Sequence, residues 1–485
     1  MSPEGLALLL TAAHALVVLT AALYISARRS PSAAIAWILA IAFIPVVGIL
    51  WFLIVGAGRL PRRRREQQLE VNRRMLERTP GEWEVGHRDE WPESLASAAR
   101  LNLTLGALPV VGGTRAALEG DYAETFRRMI VDIDAASSTV HVEFFILVLD
   151  DTTRPFIEAL GRASARGVTV RVLSDHLSGF LYPHRRATLA ALADAGAEWR
   201  AMLPLRPLRG QWQRADLRNH RKLVTVDGRI GWTGSLNLID SSYLKPKNLR
   251  RGLHWKELMV RVEGPVVREL DAVFVTDWYS ETQELLPLDE TPITVPATAS
   301  AELLDAQVVP SGPSFENDNN LKLFVYLLQN ARERISITSP YFVPDESTQL
   351  AILTAAARGV AVELFVSEIG DQFMVYHAQR SYYEALLRAG VRIHLYPPPT
   401  VLHSKHFSID DDLAVIGSSN MDIRSFSLNM EVSLLVQGRT FVDALREVED
   451  AYRATSRELT LDEWVRRPAR SRALDSLMRL TSSLQ

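Results

Sequence analysis

Two stretches of the chain carry the same six residues at the same six spacings. "HRKLVTVDGRIGWTGSLN" places His220, Lys222, Asp227, Gly234, Ser235 and Asn237, and "HSKHFSIDDDLAVIGSSN" places His403, Lys405, Asp410, Gly417, Ser418 and Asn420. An imidazole can attack phosphorus or pass a proton, and an ammonium two residues away can neutralise a nonbridging oxygen, so the pair suits a phosphodiester. One copy alone reads equally well as a buried hairpin with an Asp-Gly reversal. A second copy at identical spacing removes that reading.

Strand alternation puts His220 and Lys222 on one face and Arg221 and Leu223 on the other. Two such faces brought to one cleft would present two imidazoles and two ammonium groups, with Ser235, Asn237, Ser418 and Asn420 adding hydrogen bonds to phosphate. One histidine, neutral, would attack phosphorus, and the other, protonated, would deliver a proton to the leaving oxygen. A nucleophilic imidazole needs an acceptor on its far nitrogen. Glu257 in "HWKELMVRV" and Glu431 in "LNMEVSLLV" follow the two signatures on the next apolar strand and are the expected orienters. Asp227 and Asp410 have the opposite parity and sit in turns, where a carboxylate bonds turn amides. His141 and Glu143 form an H-x-E, but zinc deaminase chemistry also needs cysteines, and the chain has none. No metal and no cofactor is expected.

The elements that must hold these residues repeat as well. "VHVEFFILVLDD" is echoed by "ISITSPYFVPDE", "RGVTVRVLSD" by "RGVAVELFVSE", and "LADAGAEW" by "LLRAGVRI", in the same order. Each half reads as strand, helix, strand, helix and then the signature hairpin, which argues for an α/β sandwich, with the two halves paired about a pseudo-twofold axis. Residues 109–290 form the first repeat and 291–485 a Pro- and Thr-rich linker with the second. "FENDNN" is read as a polar cap before the helix "LKLFVYLLQNARER", and the C-terminal "ALDSLMRLTSSLQ" as a helix docked on the core through Leu474, Leu477, Met478 and Leu484.

Residues 1–60 hold two uncharged apolar runs, Gly5 to Ala27 and Ala33 to Gly58, each long enough for a bilayer of roughly 30 Å. They predict a transmembrane helical hairpin, with His14 bonded to the neighbouring helix. Arg59 and Arg62 to Arg65 outnumber Arg28 and Arg29, so the larger cluster, and the chain after it, should face the cytoplasm. Residues 61–108 read as a polar juxtamembrane helix and connector rather than core. With Lys+Arg at 54 and Asp+Glu at 57, bulk charge gives no nucleic-acid signal. Lys245, Lys247, Arg250 and Arg251 could meet anionic lipid at the cleft mouth.

Paired H-x-K-x4-D-x6-G-S-x-N signatures resemble the phospholipase D superfamily. "LHWKELMVRVEGPVV", "VVPSGP", "ITSPYFVPDE" and "DIRSFSLNMEVSLLV", with the apolar leader, resemble one branch of it, the bacterial cardiolipin synthases. The resemblance implies a catalytic set of His220, Lys222, Asp227, His403, Lys405 and Asp410. It also implies an enzyme of the cell membrane that moves a phosphatidyl group from one phosphatidylglycerol to another through a phosphatidyl-histidine, releasing glycerol. The alternatives are hydrolysis, transfer to another alcohol such as phosphatidylethanolamine, or a lipid-binding scaffold without turnover. Ser235 stands where many relatives carry Gly, and Glu257 where Asp is expected. The longer carboxylate of Glu257 is expected to shift the first histidine.

Overall fold

A computed structural model describes residues 2–28, 31–56, 91–106, 108–206, 214–287, 303–315 and 318–482, with the single positions Glu66, Glu70, Arg73, Leu208 and Gln211. Arg59, Arg62 to Arg65, most of the expected connector, most of the linker and Leu484 lie outside the described residues.

The N-terminal unit holds three helices, α1 (Pro3–Ser26), α2 (Pro31–Phe43) and α3 (Pro45–Val55). Among the described residues, α1 alone is long and apolar enough to cross a bilayer. Its His14 Nε2 lies 3.0 Å from the carbonyl oxygen of Ala42, the expected bond to a neighbouring helix. The second apolar run is not the continuous span expected. Proline lacks an amide proton and disfavours helix in the residue before it, and the chain breaks where Ile44 leaves helical geometry ahead of Pro45. Helix α3 folds back along α2, so that the rings of Trp37 and Phe52 lie 5.3 Å apart. Gly48 permits the approach, since a Cβ there would sit 2.6 Å from the Ala40 carbonyl oxygen.

The remainder contains a 15-stranded sheet. Its first half supplies β1 (Val111–Glu119), β2 (Thr139–Phe144), β3 (Thr169–Asp175), β4 (Glu198–Met202), β5 (Lys222–Val226) and β6 (Ile230–Gly234). A short β7 (His254–Lys256) and then β8 (Met259–Glu263) complete that half. The second half supplies β9 (Leu304–Ser311), β10 (Arg334–Thr338), β11 (Phe342–Val343), β12 (Ala361–Ser367), β13 (Arg392–Tyr396) and β14 (Thr400–Leu402). It continues with β15 (His406–Ile409), β16 (Leu413–Gly417), β17 (Met421–Asp422), β18 (Glu431–Gln437) and β19 (Arg457–Leu459).

From the middle outwards the strands run β1, β8, β6, β5, β2, β3, β4 on one side and β9, β18, β16, β15, β10, β12, β13, β19 on the other. The same strand order is thus met twice, and β1 pairs antiparallel with β9 where the halves join. Strands β5 and β9 are buried along their whole length, as helices on both faces require. Those helices are amphipathic and capped. Asp121 accepts from the amide of Glu124 at 2.8 Å to start the helix Tyr122–Asp134, which buries Phe126, Met129 and Ile133.

The helix Glu93–Thr104 is packed in the core, where the reading of residues 61–108 placed a juxtamembrane helix and connector. Leu95 and Ala98 are buried in the core of the second half, while Trp91 Nε1 donates to Asp305 at 2.6 Å and Asn102 to Gln307 at 2.7 Å. The helix Ala469–Arg479 docks on the core as expected through Met478, with Leu474 half-buried. Its anchor is the buried Asp475, which meets His377 and Arg467 at 2.6 Å each, while Leu477 is exposed. The helix of the second half begins at Asn319 after Asp318, near the expected cap, and Asn320 is buried against Ser419 and Ser425.

Candidate active site

Each H-x-K motif lies where its strand begins, so Lys222 opens β5 and His220 precedes it. Both lysines fold back onto their own histidine: Lys222 Nζ donates to the His220 carbonyl at 2.5 Å, and Lys405 Nζ to that of His403 at 2.7 Å. The two motifs then pair with the opposite half. Asn219 bridges Met430, with the His220 amide donating to the Met430 carbonyl at 2.8 Å. In the other direction β14 runs parallel to β7, and the His403 amide donates to the Lys256 carbonyl at 2.8 Å.

Because Met430 and Lys256 immediately precede the two glutamates, this pairing crosses the carboxylates between halves. Glu431 lies 2.9 and 3.0 Å from Nδ1 of His220, and Glu257 lies 2.8 and 2.9 Å from Nδ1 of His403. Glu257 therefore bears on the second histidine, not on the first as expected. Nδ1–H donation to a carboxylate fixes the tautomer and leaves Nε2 with the lone pair.

Electrostatics sharpen the arrangement. Burial pulls both histidines down to about 4, against the glutamates, which favour the imidazolium. Burial also pulls Lys222 to about 7 and Lys405 to about 8, opposed by Glu431 and Glu257. Burial pushes Glu257 up, but His403, Lys405 and the Ser235 hydroxyl more than offset it and hold the carboxyl at about 2. The charge of Lys405 is felt at His220 and that of Lys222 at His403, so the motifs share one local field. Two buried lysines thus stand beside two carboxylate-bound imidazoles, a concentration of shifted groups of the kind found at functional sites.

The other signature residues divide. Asp227 is not in the cleft: its carboxylate accepts from the amides of Ser137, Ser138 and Thr139 at 2.8 to 2.9 Å, with its own backbone at φ 54°. Asp410 does the same for Arg332, Glu333 and Arg334, at φ 49°. Both pin the turn to the start of the neighbouring strand, at the end of the sheet away from the histidines, which corrects the catalytic role the resemblance implied.

Ser235 and Ser418 are committed to protein rather than phosphate. Ser418 Oγ donates to Glu431 at 2.5 Å and accepts from the Val432 amide at 3.0 Å, and Ser235 Oγ accepts from the Leu258 amide at 2.9 Å. Asn237 is engaged as well, donating to Tyr243 Oη at 2.9 Å, which in turn donates to Glu257 at 2.9 Å. Asn420 is buried, and its amide oxygen has no partner among the described residues.

Sequence reasoning missed three residues. Tyr243 supports Glu257 and packs 5.9 Å from the His403 ring. Tyr341 meets the same ring at 6.2 Å. Arg221, fully buried on the strand face opposite the lysine, donates from Nε to the Glu431 carbonyl at 3.0 Å and pairs with Asp277. An arginine between His and Lys was visible, but its partners lie in other elements. His141 and Glu143 separate: His141 bonds Asp271 at 2.7 Å, and Glu143 accepts from Asn219 at 2.8 Å.

Comparison with known proteins shows the family. A family model described as cardiolipin synthase, PLD-like domain, matches residues 129–278 and 324–451. Cardiolipin synthase A of Proteus mirabilis is 31% identical over 461 residues, covering 94% of each chain. Cardiolipin synthase 1 of Bacillus anthracis is 31% identical, covering 94% of this chain and 90% of the relative. Among solved structures, a phosphatidylserine synthase of Haemophilus influenzae superposes with a TM-score of 0.60 at 15% identity, covering 80% of this chain and 99% of that one, a likeness of fold.

Proposed function

This chain belongs to the cardiolipin synthase family of phospholipase D-like proteins, and on that premise we propose that it joins two phosphatidylglycerols at the His220 and His403 cleft. It is a phosphatidyltransferase, and the observation that carries the chemistry is the crossed pair of carboxylate-bound imidazoles beside two buried lysines.

In the first step Nε2 of one histidine attacks the donor phosphorus. The P–N bond forms, the P–O bond to glycerol breaks, and the other histidine, as imidazolium, gives its proton to the departing oxygen. In the second step that same histidine, now neutral, takes the proton from a headgroup hydroxyl of the second phosphatidylglycerol. The hydroxyl oxygen bonds phosphorus and the P–N bond breaks, giving cardiolipin. Lys222 and Lys405 neutralise the nonbridging oxygens throughout. A bound phosphodiester anion raises the acid histidine from its depressed value, which supplies the difference in protonation the chemistry needs.

The repeated strand order supports a pseudo-twofold relation between the halves, each lending a glutamate to the other's histidine. Membrane attachment follows from the N-terminal segment, with α1 as the crossing helix and the α2 and α3 pair entering the bilayer. The excess of arginine that follows the apolar runs in the sequence favours the cytoplasmic side for the chain after them. Reporters fused at the two ends test this: a single crossing puts them on opposite sides, with that at Gln485 in the cytoplasm.

The reaction is tested with purified protein in phosphatidylglycerol vesicles without nucleotide, following lipids and free glycerol together. Cardiolipin and glycerol should appear in equal amounts. Phosphatidic acid without cardiolipin would identify a hydrolase instead.

A further inference from the structure

Beyond the signatures, the halves repeat a second pattern at one constant offset. "SDHLSGFLYPH" from Ser174 to His184 and "SEIGDQFMVYH" from Ser367 to His377 share the serine, the phenylalanine followed by a large aliphatic residue, and the histidine. Phe180 and Leu181 are 60% and 71% exposed, and Phe373 and Met374 are 60% and 41% exposed. A single exposed apolar side chain needs no explanation. The same exposed pair at the same place in both halves does, because packing within one half does not demand it.

Their position points to the purpose. The pairs follow β3 and β12. Strand β3 runs parallel to β2, whose last residue Phe144 faces Lys222 at the start of β5. Strand β12 runs parallel to β10, whose last residue Thr338 faces His406 at the start of β15. Both pairs therefore emerge at the end of the sheet that carries the histidines.

Positive charge is interleaved with them. Lys245, exposed, stands 5.1 Å over the ring of Tyr182, the residue after Leu181. From the same loop Arg251 donates to the Gly370 carbonyl at 3.2 Å, tying the exposed Lys247 and Arg250 to the segment that leads to Phe373. Apolar tips with basic neighbours fit an anionic lipid surface, where the tips enter the acyl boundary and the cations meet phosphate.

We propose that Phe180 with Leu181 and Phe373 with Met374 are paired prongs, one per half, that seat the catalytic cleft on an anionic bilayer. The inference rests on the reading that the substrate is membrane phosphatidylglycerol. The prongs hold the histidine end of the sheet at headgroup depth, so a donor reaches the cleft without leaving the membrane.

The cysteine-free chain gives a direct test. Full-length Phe180→Cys and Phe373→Cys, each carrying an environment-sensitive fluorophore and reconstituted in phosphatidylglycerol and phosphatidylcholine vesicles, should be quenched by lipids spin-labelled on the acyl chain. Arg229→Cys, exposed in the turn at the opposite end of the sheet, should not be quenched. No quenching at 180 and 373, or equal quenching at 229, overturns the proposal. The double variant Phe180→Asp with Phe373→Asp should form cardiolipin from vesicles about tenfold or more slowly, while turning over dispersed short-chain phosphatidylglycerol at the wild-type rate. Equal loss on both substrates, or none on either, overturns it too. Wild-type protein that makes no cardiolipin would refute the proposed reaction instead, and the quenching would still decide whether the prongs enter lipid.

Discussion

Glu257 of the first half holds Nδ1 of His403 in the second, at 2.8 Å, and Glu431 returns the arrangement for His220. Neither histidine is oriented by its own half, so neither half contains a complete catalytic imidazole.

Glu257→Gln and Glu431→Gln should each lower kcat about 10²- to 10⁴-fold, the range for losing the carboxylate that fixes a catalytic tautomer. Nuclear magnetic resonance of the imidazoles tells the crossed arrangement from the uncrossed one. Glu257→Gln should move the signals of His403 and leave those of His220 largely in place.

Activity should fail on the alkaline side earlier than an ordinary lysine allows. Phosphate neutralisation needs both ammonium groups, and burial brings Lys222 to about 7 and Lys405 to about 8. kcat/KM, which reports the free enzyme, should therefore decline as pH rises through 7 to 8. A profile flat to pH 10 would contradict the assignment.

Stability of the free protein should fall on acidification. His220 and His403 titrate at about 4 when folded against a usual value of 6.5, so between those limits the unfolded chain binds protons that the folded chain refuses. Stability is then lost as pH falls from 6.5 towards 4. Thermal unfolding followed across that window checks the sign, and replacing both histidines with glutamine should flatten the dependence.

Asp227→Ala should cost stability rather than chemistry. It strips acceptors from three backbone amides, a loss of about 2–3 kcal/mol, while kcat measured well below the melting temperature stays near the wild-type value. Asp410→Ala should behave alike. A large fall in kcat with an unchanged melting temperature would restore these residues to the catalytic set.

Arg221→Met should destabilise the folded chain by about 3–5 kcal/mol, since it leaves Asp277 buried without its counter-charge. Denaturant unfolding measures it. Removal of the Nε donor to the Glu431 carbonyl should also lower kcat through the orientation of His220.

Much of the site was legible in the chain because repetition leaves a mark that no single motif can. Two copies at the same spacing named both histidines and both lysines, and the apolar strand that follows each copy named the two glutamates, at unequal distances from their signatures. Strand parity separated Asp227 and Asp410 from the ligand face, and the structure puts both on amides at the start of a neighbouring strand. The serines were misread because a hydroxyl two residues short of the asparagine looks the same whether it faces phosphate or a neighbouring strand. Only the position of Leu258 and Val432 beside them settles the matter. The break in the second apolar run was not legible because hydropathy averages over a window and is nearly blind to one proline, which is enough to turn the chain.

Local chemistry was therefore set by the sequence alone: which side chains could attack phosphorus, which could neutralise it, and that two sets exist. Which glutamate serves which histidine was decided only by the tertiary structure. That choice depends on backbone pairing of Asn219 with Met430 and of Leu402 with Lys256, contacts between residues far apart in the chain whose amides carry no trace in the side-chain pattern.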